Sequence, residues 1–98
     1  MVKIIKGATP YRKKDAARYR ERGWWRGLTL AEWLDRAAGI HPDKVAFVDL
    51  RNRLTFAQAR DQAERVAVGF LGLGIKPKDR VLVQLPNWSE FVPAYFAL

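Results

Sequence analysis

Ninety-eight residues without a cysteine exclude a disulfide scaffold and thiolate metal sites, and a hydrophobic share of 49% excludes a disordered tail. No apolar run approaches the ~20 residues of a membrane span, and Lys3 and Lys6 interrupt the first segment too soon for a signal-peptide core. The net charge of +8 is uneven: residues 1–26 hold nine Lys or Arg against Asp15 and Glu21, a net of +7, whereas the other 72 residues hold nine against eight, a net of +1.

A basic arm, residues 1–27, therefore precedes a nearly neutral body, residues 28–98. Two readings of the arm stand side by side. Clustered cations gain by counterion release on nucleic acid or an anionic membrane, and a solvated arm can equally wrap the rest of a larger protein. The arm has no zinc ligands and no helix-turn-helix pattern, which favours the second reading. Within it, Thr9-Pro10 predicts the start of a short helix and Gly23 its end, followed by the aromatic hinge Trp24-Trp25-Arg26-Gly27. The adjacent indoles suit docking onto a core better than stacking on bases.

Thr29 and Glu32 form a capping box, with Leu30, Trp33, Leu34 and Ala37 on one helical face. Gly39 is expected to stop this helix and Pro42 to prevent its return. His41, the single histidine, sits in the exit loop and is a weak catalytic candidate. Residues 45–50 read as a strand, Arg51-Asn52-Arg53 as a turn, and Leu54 as the end of a brief return strand. Thr55 and Gln58 make a second capping box, opening a long helix with Phe56, Ala59, Ala63, Val66, Ala67 and Phe70 inward. Arg60–Glu64 and Asp61–Arg65 are expected to pair on its outer face, so Asp61 and Glu64 read as solvated rather than as an acid–base couple.

Gly69, Gly72 and Gly74 follow a helix, whereas a phosphate cradle follows a strand and precedes a helix. Gly74 is expected to terminate the helix and Gly69 to permit close packing. Residues 81–85 are nearly all apolar and read as a central parallel strand, joined to strand 45–50 by a right-handed crossover. Asn87 or Ser89 is expected to cap a last helix, with Pro93 in or just after its first turn. That helix is still running at Leu98, so the chain reads as the front of a larger protein. The expected class is α/β: the incomplete N-terminal part of a layered domain, with helices on a mainly parallel sheet.

Several segments, taken together and in order, carry a resemblance. Tyr19-Arg20-Glu21-Arg22-Gly23-Trp24-Trp25-Arg26-Gly27-Leu28-Thr29-Leu30 resembles the N-terminal arm of aryl-acid adenylating enzymes of the 2,3-dihydroxybenzoate–AMP ligase type, with Trp24 in place of the usual Tyr. Pro42-Asp43-Lys44-Val45-Ala46-Phe47-Val48-Asp49 resembles the P-D-x-x-A-x-x-D segment of the wider adenylate-forming superfamily. Leu54-Thr55-Phe56-Ala57-Gln58-Ala59 is similar to its L-T-Y-x-E-L helix start, with Phe56 for Tyr and Ala59 for Leu. Leu73 to Val81 resembles its L-G-x-x-x-G-D-R-V turn, with Lys78 where Gly is usual, and Gln84-Leu85-Pro86-Asn87 with Glu90-Phe91 completes the match.

The resemblance implies a parent enzyme that uses ATP and Mg²⁺ to activate a carboxylic, and specifically an aryl, acid as its acyl-adenylate. The acyl group then passes to a thiol, coenzyme A or a carrier-protein phosphopantetheine. The family's phosphate-binding loop, ribose-binding Asp and catalytic lysine have no matching positions in residues 1–98. No catalytic, cofactor-binding or metal-binding residue is therefore assigned, and the segment alone is expected to be inactive and to bind neither ATP nor Mg²⁺. Its implied partners are the remainder of the enzyme, the acid, and coenzyme A or a carrier protein, in a cytoplasmic setting that the lack of cysteine suits. A truncated gene product and a small basic binding module remain as alternatives.

Overall fold

The computed structural model describes residues 6–98, so Met1 to Ile5, with Lys3 of the arm among them, lie outside the description. Six elements follow one another: α1 Lys13–Glu21, α2 Leu30–Ile40, β1 Val45–Val48, β2 Arg53–Thr55, α3 Phe56–Gly72 and α4 Phe91–Ala97.

Helix α1 begins three residues after Pro10, with Arg12 rather than Thr9 at its boundary. The carboxylate of Asp15 in the first turn explains the later start. It accepts from Arg12 Nε at 2.7 Å and lies 3.5 Å from Arg18, where a negative charge favours a helix amino end. At the other end Gly23 takes φ +73°, its N–H donates to Arg20 O, and Trp24 N donates to Tyr19 O. This Schellman pair satisfies two carbonyls that the helix would otherwise leave open.

Both capping boxes form. Thr29 Oγ1 accepts from Glu32 N at 3.2 Å while Glu32 takes Thr29 N–H at 2.6 Å; Thr55 Oγ1 accepts from Gln58 N at 3.1 Å while Gln58 takes Thr55 N–H at 2.9 Å. Replacing Thr55 by Ala removes one side of the box at the mouth of the longest helix. It is expected to cost about 1 kcal/mol in a urea titration followed by circular dichroism, with Thr55→Ser largely restoring it. Gly39 does not stop α2, which runs through it to Ile40. The break comes from Pro42, because the residue before a proline is driven out of the helical region, and His41 sits at φ −131°, ψ 63°.

The hairpin β1–β2 is antiparallel, pairing Val45 with Thr55, Phe47 with Leu54 and Val48 with Arg53, with an irregularity between Val45 and Phe47. Strand β1 ends at Val48 instead of continuing to Leu50, because the Asp49 side chain captures the N–H groups of Arg51 and Asn52 and bends the chain there.

Residues 81–85 form no strand. Among the described residues the sheet consists of β1 and β2 alone, and Leu82 is 91% exposed. An apolar run becomes a central parallel strand only where strands flank both edges and layers cover both faces. Neither is present here, so the expected crossover is absent and the α/β character of the chain lies in three helices packed beside a hairpin.

The core lies where α2, α3 and α4 meet. Leu34 from α2 packs on Ala59 and Ala63 of α3, and Phe47, Phe56, Val92 and Phe96 close the sides. The two alanines let α2 and α4 approach α3 closely. Gly69 plays no such part, since a Cβ placed on it meets nothing within 4 Å. Gly74, at φ +85°, does end α3: its N–H donates to Leu71 O and Ile75 N to Phe70 O. Of the two surface pairs expected on α3, Asp61–Arg65 forms at 3.1 Å and Arg60–Glu64 does not. Lys78 adopts φ +74°, the left-handed region, at the position where the resembling turn carries Gly. A side chain there costs about 1–2 kcal/mol of backbone strain.

Candidate functional site

The densest polar constellation joins the hairpin turn to the turn before α4, and its centre is Asp49. Oδ1 accepts from Arg51 N at 2.8 Å and Asn52 N at 2.6 Å, and Oδ2 accepts from Ser89 N at 2.7 Å. Asn52 Nδ2 donates to Ser89 Oγ at 3.0 Å, which places the buried Ser89 between two residues of the hairpin turn. Backbone donation from Ser89, followed by that from Arg51, the Ser89 hydroxyl and Asn52, holds the Asp49 carboxyl far below the usual carboxylate range. Arg51 lies 4.8 Å above the Trp88 ring and 3.4 Å from Glu90 Oε1, covering the clamp from outside.

Ser89 is therefore committed to the clamp and does not cap α4. Glu90 occupies the boundary position without a side-chain cap, and Pro93 falls in the first turn, where its missing N–H costs little. A groove of about 650 Å³ opens beside the clamp, lined by Val48, Leu50, Arg51, Asn87 and Trp88. Chemically this constellation orders two turns. A carboxylate that accepts three backbone N–H bonds and stays ionised is a poor proton acceptor, and the hydroxyl beside it, that of the buried Ser89, is engaged by Asn52 Nδ2.

The other residues weighed in the sequence are dispersed. His41 is exposed at the end of α2, and Asp61 is spent on Arg65. The N–H of Gly74 is engaged by Leu71 O at 3.0 Å, so the glycine cluster offers no phosphate cradle. Among the described residues no group of three or more His, Asp or Glu could hold a metal ion.

In the arm, Trp24 and Trp25 fold back on α1. Tyr19 lies 5.7 Å from Trp24 and 5.1 Å from Trp25, and Tyr11 meets Trp25 edge-on at 4.9 Å. Arg20 rides over Trp25, Arg22 over Trp24, and both Arg26 and Arg36 over Trp33. These side chains were legible as an aromatic hinge, but their guanidinium cover was not. The turn at Arg51-Asn52-Arg53 was legible, but Asp49 read as part of the strand, and neither its capture of the turn's N–H groups nor its partner Ser89 was.

Both the fold and the sequence resemble those of known proteins. Residues 34–98 match the family of AMP-binding enzymes. A salicylyl-CoA synthase / salicylate adenylyltransferase from a Streptomyces species is 46% identical over 86 residues, covering 88% of this chain and 16% of that protein. The salicyl-AMP ligase / salicyl-S-ArCP synthetase of Mycobacterium tuberculosis is 43% identical over 97 residues, covering 94% of this chain and 17% of that protein. The apo structure of MbtA from Mycobacterium smegmatis superposes with a TM-score of 0.85 at 46% identity, over 93% of this chain and 17% of that one.

The chain belongs to the AMP-binding enzyme family. Its close relatives are aryl-acid AMP ligases, and it corresponds to part of their α/β architecture. It spans less than a fifth of the length of the relatives it matches.

Proposed function

We propose that the chain is the N-terminal scaffold segment of an ATP- and Mg²⁺-dependent ligase that converts an aryl carboxylic acid to its acyl-adenylate and passes the acyl group to a thiol. The observation that carries this reading is the continuous similarity, over 88% and 94% of the chain, to two proteins named for salicylate activation. One of their names points to coenzyme A and the other to a carrier protein, so both thiols belong to the proposal. Within such an enzyme, residues 1–27 form a basic arm and residues 28–98 open the large domain. No helix of the described residues is long and apolar enough to cross a membrane, which is compatible with the cytoplasmic setting proposed.

The segment's own contribution is positional. Asp49 ties the hairpin to the start of α4, and the Leu34–Ala59–Ala63 contact fixes the helices around it. Substrate chemistry is assigned to residues elsewhere in the parent enzyme. Acid-dependent exchange of labelled pyrophosphate into ATP tests the proposal. The full-length enzyme is expected to support exchange with salicylate or 2,3-dihydroxybenzoate well above octanoate, and residues 1–98 alone are expected to give none above a heat-killed control. Exchange with octanoate alone would overturn the aryl assignment, and exchange by the isolated segment would overturn the scaffold role.

A further inference from the structure

From Asp79 to Pro86 the chain makes no turn or bend, and among the described residues no backbone N–H or C=O of residues 80–85 is hydrogen-bonded. Its side chains are not those of a solvated loop. Val81 and Leu85 are 39% and 43% exposed and Val83 is half-buried, whereas Leu82 between them is 91% exposed. That alternation has the period of a strand. The run is also fixed at both ends. Before it, Asp79 closes a tight turn: its N–H donates to Lys76 O at 3.1 Å and its Oδ2 accepts from Lys76 N at 2.8 Å. Lys78 is held at φ +74° inside that turn, a conformation that a lysine by itself disfavours. After the run, Trp88 N–H donates to Pro86 O at 2.7 Å, and Ser89 N–H donates to Asp49 Oδ2 at 2.7 Å, which ties the exit to the hairpin. Chain anchored in this way has already lost part of the conformational freedom that opposes pairing.

We infer that residues 80–85 are a strand edge preset by these two anchors, on which a β-strand from the remainder of the parent enzyme pairs, with Asp49 as the positioning residue. The inference rests on the reading of the chain as one segment of a larger ligase. The free backbone selects the occupant. A straight row of unused N–H and C=O groups is completed by another strand, whereas a helix has already spent its own backbone groups internally. Strands β1 and β2 pair with each other and leave the run unpartnered. An apolar run with its backbone open is also a template for aggregation unless the protein covers it. The chain spans less than a fifth of its relatives, so the remainder has ample length to supply the strand. Asp49 acts at one remove: it touches no atom of residues 80–85 but fixes the turn into which they run.

Hydrogen–deuterium exchange of the full-length enzyme, read by mass spectrometry on peptides spanning residues 80–85, tests it. The amides there are expected to exchange at least about a hundredfold more slowly than those of an unstructured peptide. Asp49→Asn is expected to speed deuterium uptake in this stretch about tenfold, while peptides from α2 keep the wild-type rate. Asp61→Asn, which touches only an exposed ion pair, should change neither. Fast uptake at 80–85 in the wild-type enzyme would overturn the pairing. Equal acceleration of α2 and 80–85 by Asp49→Asn would make Asp49 a general stabilising residue and overturn its positioning role, as would an unchanged rate at 80–85. Protection that fades on dilution would assign the second strand to another copy of the protein and overturn the proposal. These rates do not depend on which acid is activated. Fast uptake in an enzyme that exchanges pyrophosphate with salicylate would sink the strand alone, and slow uptake in one that uses octanoate alone would sink only the aryl reading.

Discussion

Replacing Leu34 by Ala is expected to destabilise the protein by about 2–5 kcal/mol, a large share of the ~5–15 kcal/mol that holds an ordinary domain together. Leu34 is 5% exposed and packs on Ala59 and Ala63, with Phe47, Phe56, Val92 and Phe96 around it. Two of its nearest neighbours are alanines on a helix backbone, which cannot swing into the space vacated. The aromatic rings at the rim are held by their own contacts, such as Phe47 with Phe96 at 6.4 Å. The void would therefore persist, and its lining would lose dispersion contacts as well as burial. Leu30, one turn earlier on the same helix and 52% exposed, supplies the comparison. Leu30→Ala is expected to stay within about 0.5 kcal/mol of wild type. Urea unfolding followed by far-ultraviolet circular dichroism reads both; a difference between the two variants below about 1 kcal/mol would mean that the core does not sit on Leu34.

Asp49→Asn is the second large effect, and it carries a pH signature. The carboxylate accepts N–H groups on both oxygens, from Arg51 and Asn52 on one and Ser89 on the other. An amide presents an NH₂ to one of these sets, so a donor faces a donor and the hairpin separates from the turn before α4. The melting temperature is expected to fall by several degrees, whereas Asp61→Asn, which breaks only an exposed i,i+4 pair, should leave it nearly unchanged.

The sign of the pH dependence follows from the direction of the shift. Hydrogen bonds from Ser89, Arg51 and Asn52 lower the folded-state value of Asp49. Its contribution is complete above the unfolded carboxylate value of about 3.9 and is lost as pH falls from there through the lower folded value. Wild type should therefore exceed Asp49→Asn in melting temperature by a constant margin above about pH 5, and the margin should shrink toward pH 2. A margin that stays flat into acid would show that Asp49 is not the clamp. Glu32, lowered mainly by the backbone N–H of Thr29, adds an acid sensitivity of the same sign that both proteins share.

Several structural features could be read from neighbouring residues alone. Thr29 with Glu32 and Thr55 with Gln58 reappear as closed capping boxes, and Gly23 and Gly74 as helix ends, because each such feature is completed by groups within one or two turns of chain. The family was legible for a related reason. Its segments mark these same caps and turns, and their order along the chain survives substitutions such as Phe56 and Ala59 at positions where other residues are usual.

Where the sequence pattern alone misled, the deciding group lay far away or was missing. Val81 to Leu85 has the composition of a buried strand, yet an apolar run becomes a strand only beside another edge, and β1 and β2 pair with each other. Ser89 had the chemistry of a helix cap, but its N–H donates to the carboxylate of Asp49, forty positions earlier, and its hydroxyl oxygen accepts from Asn52 instead. The indoles of Trp24 and Trp25 were expected to dock onto a core, whereas among the described residues they meet Tyr19 of the arm's own helix α1. Sequence by itself determined the elements closed by local hydrogen bonds, together with the family they spell out. Tertiary structure decided the core, the clamp and the fate of the apolar run, because burial and long-range pairing depend on which distant surfaces are brought together.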